Sequence, residues 1–204
     1  MDSIKDTYKT IIKPSEESLF KDRGSKFYGY AFPVTSEEEI KEHIEGLKKT
    51  HFNARHWCYA WQLGKDYSKY RANDDGEPSN SAGMPIYGQL QSFDVTNILV
   101  VVVRYFGGTK LGVGGLIQAY KTGAQWALEN SNIVEKTIDI DFKLQFEYPE
   151  MNTVMRIIKD QNLNITGQKL ELNCEYIISV RKKDAERIFN LFDNTYKVTI
   201  KKIK

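Results

Sequence analysis

The chain is poor in the residues that build covalent or metal frameworks. It has two cysteines in 204 residues, and Cys58 and Cys174 share no Cys-x-x-Cys or Cys/His spacing. That points away from a disulfide scaffold and from a thiolate zinc site, and fits a reducing compartment. Long apolar runs are also missing. The start, Met1-Asp-Ser-Ile-Lys-Asp6, has no apolar signal core, and the longest strongly apolar run is Ile98 to Val103. Neither secretion nor a membrane span is expected, and a cytoplasmic location is. An excess of one charge is absent as well: 29 basic against 27 acidic residues leave +2. Composition alone therefore does not mark a nucleic-acid binder, and any such role must rest on a local patch. No Gly-x-Ser-x-Gly elbow, triad spacing, internal repeat or low-complexity segment occurs. The 41% of hydrophobic residues suffices for a packed core, in one large domain or two small ones.

What the chain does have is a glycine-rich passage from a strand into a helix. Residues 98–103 are uninterrupted β-branched and aliphatic side chains, the pattern of a strand covered on both faces. Arg104-Tyr-Phe-Gly107-Gly108-Thr109-Lys110-Leu-Gly112-Val-Gly114-Gly115 follows, and Leu116, Tyr120, Ala124, Ala127 and Leu128 then recur at helical spacing. A helix start carries unpaired N–H donors and the positive dipole end, so anions are favoured there. Arg104 and Lys110 reinforce that sign, and no acidic residue occurs from Val95 to Leu128. A Walker loop is excluded, because Gly112 is followed by Val113 where lysine is required. The dinucleotide fingerprint fails at Ile117. The plainer alternative is that these glycines only permit a tight turn and close helix–strand packing.

Around this passage the pattern is mixed α and β. Strands are expected over Tyr8–Ile12 and Lys26–Phe32, with a turn at Asp22-Arg-Gly-Ser. Ser36 with Glu39 forms a capping box for a helix buried along Ile40, Ile44 and Leu47. Asn53 to Leu63 alternates as a strand with Trp57, Tyr59 and Trp61 on one face. Gly64 to Asn80 reads as a polar connection. Ser81 is the expected cap of a helix over Ala82–Gln91 that turns Met84, Leu90 and Tyr87 to the core. After Lys136 the order is β-α-β-β-α-β, a ferredoxin-like plait, so the division expected is 1–136 and 137–204. Lys201-Lys-Ile-Lys204 reads as a frayed basic end.

Candidate chemistry clusters in the first part. Asp74, Asp75 and Glu77 are the only close acidic group in the region that also contains the glycine loop; they suit a magnesium site, an acid/base pair, or a turn that holds Arg71 or Arg104. The calcium-loop spacing is not met, and no metal is expected. His56, beside Arg55, is a candidate base or phosphate contact. Cys58 reads as a small buried residue rather than a reactive thiol. Trp57 and Trp61 read as core, and Tyr105 as an exposed aromatic at the site margin, suited to stacking a base of single-stranded RNA. The phosphate- or nucleic-acid-binding set is thus Arg55, His56, Arg71, Arg104, Tyr105, Gly107, Gly108, Thr109, Lys110, Gly112, Gly114 and Gly115.

Four ordered motifs carry a family resemblance. Arg55-His-Trp-Cys-Tyr-Ala60, Asn73-Asp-Asp-Gly-Glu-Pro-Ser79, Ala82-Gly-Met-Pro85 and Val103-Arg-Tyr-Phe-Gly-Gly-Thr-Lys-Leu-Gly-Val-Gly-Gly-Leu116 resemble the YigZ branch of the IMPACT family. The family pattern usually has Gly-Thr where this chain has Asn80-Ser81. The resemblance implies an α+β chain. Its N-terminal domain would have a left-handed βαβ crossover and be similar to domain IV of elongation factor G; its C-terminal plait would be similar to domain V. It further implies kinship with eukaryotic members that regulate translation by competing for an activator of the starvation-responsive kinase. Three functions stay open at this point: an RNA- or ribosome-associated translation regulator, an enzyme on a small phosphorylated or nucleotide substrate at the same loop, and a protein-partner module. No cofactor and no catalytic motif is identified.

Overall fold

The computed structural model describes residues 5–203; Met1–Ile4 and Lys204, with the parts of the expected leader-free start and basic end that fall on them, lie outside the described residues. Contacts divide the chain into two compact units. One is 8–136 and the other joins 5–7 to 137–203. The chain start therefore differs from the expected division. Residues 5–7 go with the later unit because the Asp6 carbonyl accepts from Ile138 N–H (2.7 Å) and its carboxylate pairs with Arg181 (2.6 Å).

The first unit contains β1 (Thr7–Ile11, from Tyr8 onward), β2 (Ser18–Asp22), β3 (Ser25–Pro33), α1 (Glu37–Thr50), β4 (His56–Leu63), β5 (Lys69–Asn73), α2 (Gly83–Ser92), β6 (Ile98–Tyr105), α3 (Gly112–Glu129) and β7 (Ile133–Thr137, up to Lys136). β1 and β7 pair in a small ribbon, and the other strands form one sheet in the order β2-β3-β6-β4-β5. β6 is central and buried along nearly its whole length. Its alternation explains the uninterrupted apolar run. Ile98, Val100 and Val102 pack under α2 and α3, while Leu99, Val101 and Val103 meet the opposite core, which includes Ile40 and Leu47 of α1.

The topology fixes an unusual hand. β6 is antiparallel to both β3 and β4, so β3 and β4 are parallel, and β5 and β6 are parallel by the same reasoning. The β3-α1-β4 and β5-α2-β6 crossovers run in opposite directions along the sheet, start from oppositely directed strands, and place their helices on opposite faces. Turning the sheet half a revolution about its normal superposes direction and order but not the face. One of the two crossovers is therefore left-handed, the rare hand for such units.

Sequence periodicity misses β2, β5 and β7. β2 and β3 form a hairpin across the expected turn, where Arg23 and Gly24 both have positive φ (44 and 79). β5 is a largely exposed sheet edge of sequence Lys-Tyr-Arg-Ala-Asn, so burial leaves no alternating trace. The capping box of α1 forms, with Ser36 Oγ accepting from Glu39 N–H (3.3 Å) and Glu39 accepting from Thr35 N–H (2.6 Å). In α2, Leu90 and Tyr87 are buried, but Met84 faces outward.

The second unit has β8 (Asp139–Glu147), α4 (Met151–Asp160), β9 (Asn164–Lys169), β10 (Asn173–Arg181), α5 (Ala185–Asp193) and β11 (Val198–Lys202). Its sheet order β11-β8-β10-β9, antiparallel throughout, is that of a ferredoxin-like plait. Phe142, Leu144 and Phe146 of β8 pack with Val154, Ile158, Ile188 and Phe192 of the two helices.

On the α1 face of the first unit, His51 sits between two tyrosines. Its Nε2 lies 2.6 Å from Tyr30 Oη, which also bonds Glu17, and its Nδ1 lies 3.0 Å from Tyr105 Oη; the Tyr28 ring packs on it from 5.3 Å. Burial lowers the His51 pKa below its ordinary 6.5, against the opposing pull of Glu17. The unfolded chain then binds a proton that the folded one resists. This contribution to stability is complete above the ordinary value and is lost as pH falls through the interval beneath it. Urea unfolding at about pH 7.5 and about pH 5 should show a steeper loss for the native chain than for His51→Asn, and equal losses would refute the role.

Candidate functional site

The site forms where β6 ends, and strand alternation sorts the candidate residues. Arg104 projects with Val102 to the α2/α3 side, where its guanidinium stands 5.5 Å from the Phe27 ring. Tyr105 projects the other way, to His51 and Tyr28. Tyr105 is therefore not the aromatic at the site margin. That place belongs to Phe106, 41% exposed and flanked by Arg104 at 5.6 Å and Arg55 at 5.9 Å. Arg71 also separates from the set, since it pairs with Trp61 in the sheet and lines a hollow with Glu37 and Glu38 on the α1 side.

The acidic motif is a built turn. Glu77 N–H donates to the Asp74 carbonyl (2.9 Å), and Asp75 and Gly76 have φ of 42 and 86, the signature of a type I′ turn that Gly76 tolerates freely. Asn73 Oδ1 accepts from Asp75 N–H at 2.7 Å. Each carboxylate has a separate task. Asp74 Oδ1 accepts from Ala82 and Gly83 N–H (3.0 and 2.8 Å), and Oδ2 from Asn80 N–H (2.9 Å), so Asp74 caps α2. Ser81, the expected cap, instead donates its hydroxyl to the Pro78 carbonyl (2.6 Å). Asp75 Oδ2 accepts from Trp57 N–H (2.7 Å) at the start of β4. Glu77 Oε1 accepts from Arg104 Nη1 (2.6 Å) and from the Tyr120 hydroxyl (2.7 Å).

The Arg104–Glu77 pair is buried, with side chains 6% and 5% exposed. His56 stands at its edge. Its Nδ1 lies 2.8 Å from the Asp75 carbonyl, which can only accept, so Nδ1 carries hydrogen and Nε2 faces Glu77 from 3.9 Å. Cys58 donates its thiol to the Asp74 carbonyl (3.0 Å), and burial drives the thiol far above its ordinary range. That favours the thiol over the thiolate a nucleophile needs. Burial, then the neighbouring Cys58 and Glu77, likewise raises Tyr120 and keeps its hydroxyl a donor. Among the described residues, no group of three or more His, Cys, Asp or Glu side chains is arranged to hold a metal ion.

The glycine passage is partly structural and partly open. Gly107 lies against the β2–β3 turn, where an added Cβ would fall 1.9 Å from the Gly24 carbonyl carbon, and its N–H donates to Ser25 Oγ (3.2 Å). Only glycine fits there. Gly108, Gly112 and Gly114 face open space instead. α3 begins after Leu111 with no capping side chain and no acid in its first turn, where a helix would otherwise carry its own anion. Thr109 and Lys110 are exposed, and Lys110 makes no ion pair among the described residues. Between the turn and this helix start lies a cleft of about 350 Å³, lined by Glu77, Arg104, Phe106, Lys110 and the first turn of α3.

Residues 23–128 match the profile of the Impact N-terminal domain. The chain belongs to the IMPACT family. It is 31% identical to the IMPACT family member YvyE of Bacillus subtilis over 178 residues, 87% of this chain and 82% of that one. It is 38% identical to the IMPACT family member YigZ of Escherichia coli over 123 residues, 59% of this chain and 60% of that one. A crystal structure of a hypothetical protein superposes with a TM-score of 0.72 at 26% identity, covering 98% of this chain and 99% of the other. In this bacterial-type IMPACT member, Asn80-Ser81 suits the place where the resemblance led to an expectation of Gly-Thr. Asn80 has φ 59, a left-handed conformation that Asn adopts more readily than most residues, and Ser81 supplies the hydroxyl.

The structure brings Arg55, His56, Arg104, Lys110 and Glu77 to the region where β6 ends, together with Phe106 and Tyr120, which sequence reasoning did not single out for the site. Phe106 was legible as the position after the last core residue of β6; Tyr120, set in an apolar stripe, gave no sign of its polar task. Arg104→Ala should cost about 3–5 kcal/mol in denaturant unfolding, because it strands a buried carboxylate, whereas Glu77→Gln, which keeps an acceptor for Tyr120, should cost less. Losses below about 1 kcal/mol for both would show that the pair does not organise this region.

Proposed function

We propose that this chain is a cytosolic RNA- or ribosome-associated protein with a role in translation regulation, and that it takes a phosphate group at the first turn of α3. The observation that carries this reading is the uncapped helix start beside Lys110, in a stretch from Val95 to Leu128 without an acidic residue. Glu77, the nearest carboxylate lining the cleft, already accepts from Arg104 and Tyr120, so its charge is offset. Arg104 contributes through that pairing, as the buried floor of the cleft rather than a free phosphate ligand. IMPACT membership supports the translational setting.

The enzymatic reading is weaker. The carboxylates of Asp74, Asp75 and Glu77 are all engaged in hydrogen bonds, burial favours the thiol form of Cys58, and among the described residues no nucleophile is paired with His56 Nε2. A protein-partner role draws support from the plait, where Tyr148, Leu172 and Tyr196 are exposed.

Co-sedimentation with ribosomes should be strong at low salt and weak at high salt, because phosphate contacts release counterions. Lys110→Ala should weaken it and lower the salt slope by about one. Val113→Asp is the sharper variant, since a carboxylate in the first turn suits the helix dipole but repels phosphate. Binding should vanish while thermal stability holds. Ribosome binding by Val113→Asp equal to that of the native chain would sink the assignment, and binding that survives nuclease and salt would favour a protein partner.

A further inference from the structure

The cleft beside α3 is not only an anion site. One end is polar, formed by Lys110 and the backbone of Gly112, and the remainder is walled by Pro78, Phe106, Val113 and Leu116. An inorganic anion would leave those walls unused. The volume of about 350 Å³ is at the lower end of cavities that hold a small organic group. Phe106 presents much of its ring to solvent although it follows the buried β6, and the two flanking guanidiniums, Arg55 and Arg104, hold it in place. Arg104 is committed to Glu77, with its Nε buried and unpartnered, whereas Arg55 is exposed and makes no ion pair among the described residues. A flat ring laid on Phe106 would have a cation beside it and an anion-binding helix start at the far end of the same cleft.

Resting on the phosphate-binding reading, we propose that this cleft takes one nucleotide of a single-stranded RNA, with its base stacked on Phe106 and its phosphate at the first turn of α3. Arg55 then serves the neighbouring phosphate along the strand. Recognition of this kind tolerates sequence, since every base offers a π-face, but requires that a base be present.

The test uses fluorescence anisotropy of the full chain with an oligouridine of about a dozen nucleotides and an abasic strand of equal length. The native chain should bind the oligouridine about tenfold more tightly than the abasic strand. Phe106→Leu should abolish that preference, and Lys110→Ala should weaken both strands alike. Circular dichroism of each variant guards against unfolding. Equal native affinity for both strands, with Lys110→Ala still weakening each, would overturn the stacked base and leave the phosphate site standing. Binding to neither strand, or binding indifferent to Lys110→Ala, would remove the phosphate site and the base together. Uridine monophosphate binding as tightly as the strand would replace RNA by a small nucleotide as the ligand.

Discussion

The buried pair between Arg104 and Glu77 is the constraint on which the site depends. It ties three elements that are remote in sequence: the end of β6, the turn after β5, and α3 through the Tyr120 hydroxyl. Burying two charges is costly unless their remaining hydrogen-bonding capacity is met; here Oε1 of Glu77 receives two donors at once, while Nε of Arg104 is left without a partner among the described residues. Such a pair adds little net stability compared with a well-packed apolar replacement, yet it strongly penalises any arrangement in which either partner is displaced. It therefore acts chiefly on specificity, holding the turn and the helix start at a fixed separation.

Around that pair the polar groups are divided by task. Asp74 caps one helix and Asp75 holds the Trp57 N–H near the start of β4, so both aspartates of the turn spend their charge on backbone. The start of α3, by contrast, has no acid of its own. The contrast between the two helix starts is the electrostatic asymmetry of the unit: α2 has its anion built in, whereas α3 has none in its first turn.

Much of the architecture was legible because burial writes periodicity into sequence. β6 and α3 were read from their apolar patterns, and the plait from its alternation of strands and helices. Edges were not legible. β5 is exposed on most of its length and β2 is short, so propensity and polarity alone suggested a connection. Residue types at the site were found by chemistry, but their faces were not, because a shift of one position along β6 separates Arg104 from Tyr105 by the thickness of a sheet. Ser81 was a sound candidate cap by local rules. Asp74 displaced it because its long-range carboxylate reaches two N–H groups, a contact no local window contains.

The assignment of residues 5–7 to the later unit makes the first unit an insertion rather than a simple predecessor. The polypeptide must leave one body, complete the other, and return. As the chain emerges during synthesis, the strands from β2 to β7 have all their sheet partners before the plait exists, whereas Asp6 waits for Ile138 and Arg181. Residues 5–7 thus meet their partners only after the first unit is complete, and a single cut near Lys136 would not release two intact bodies.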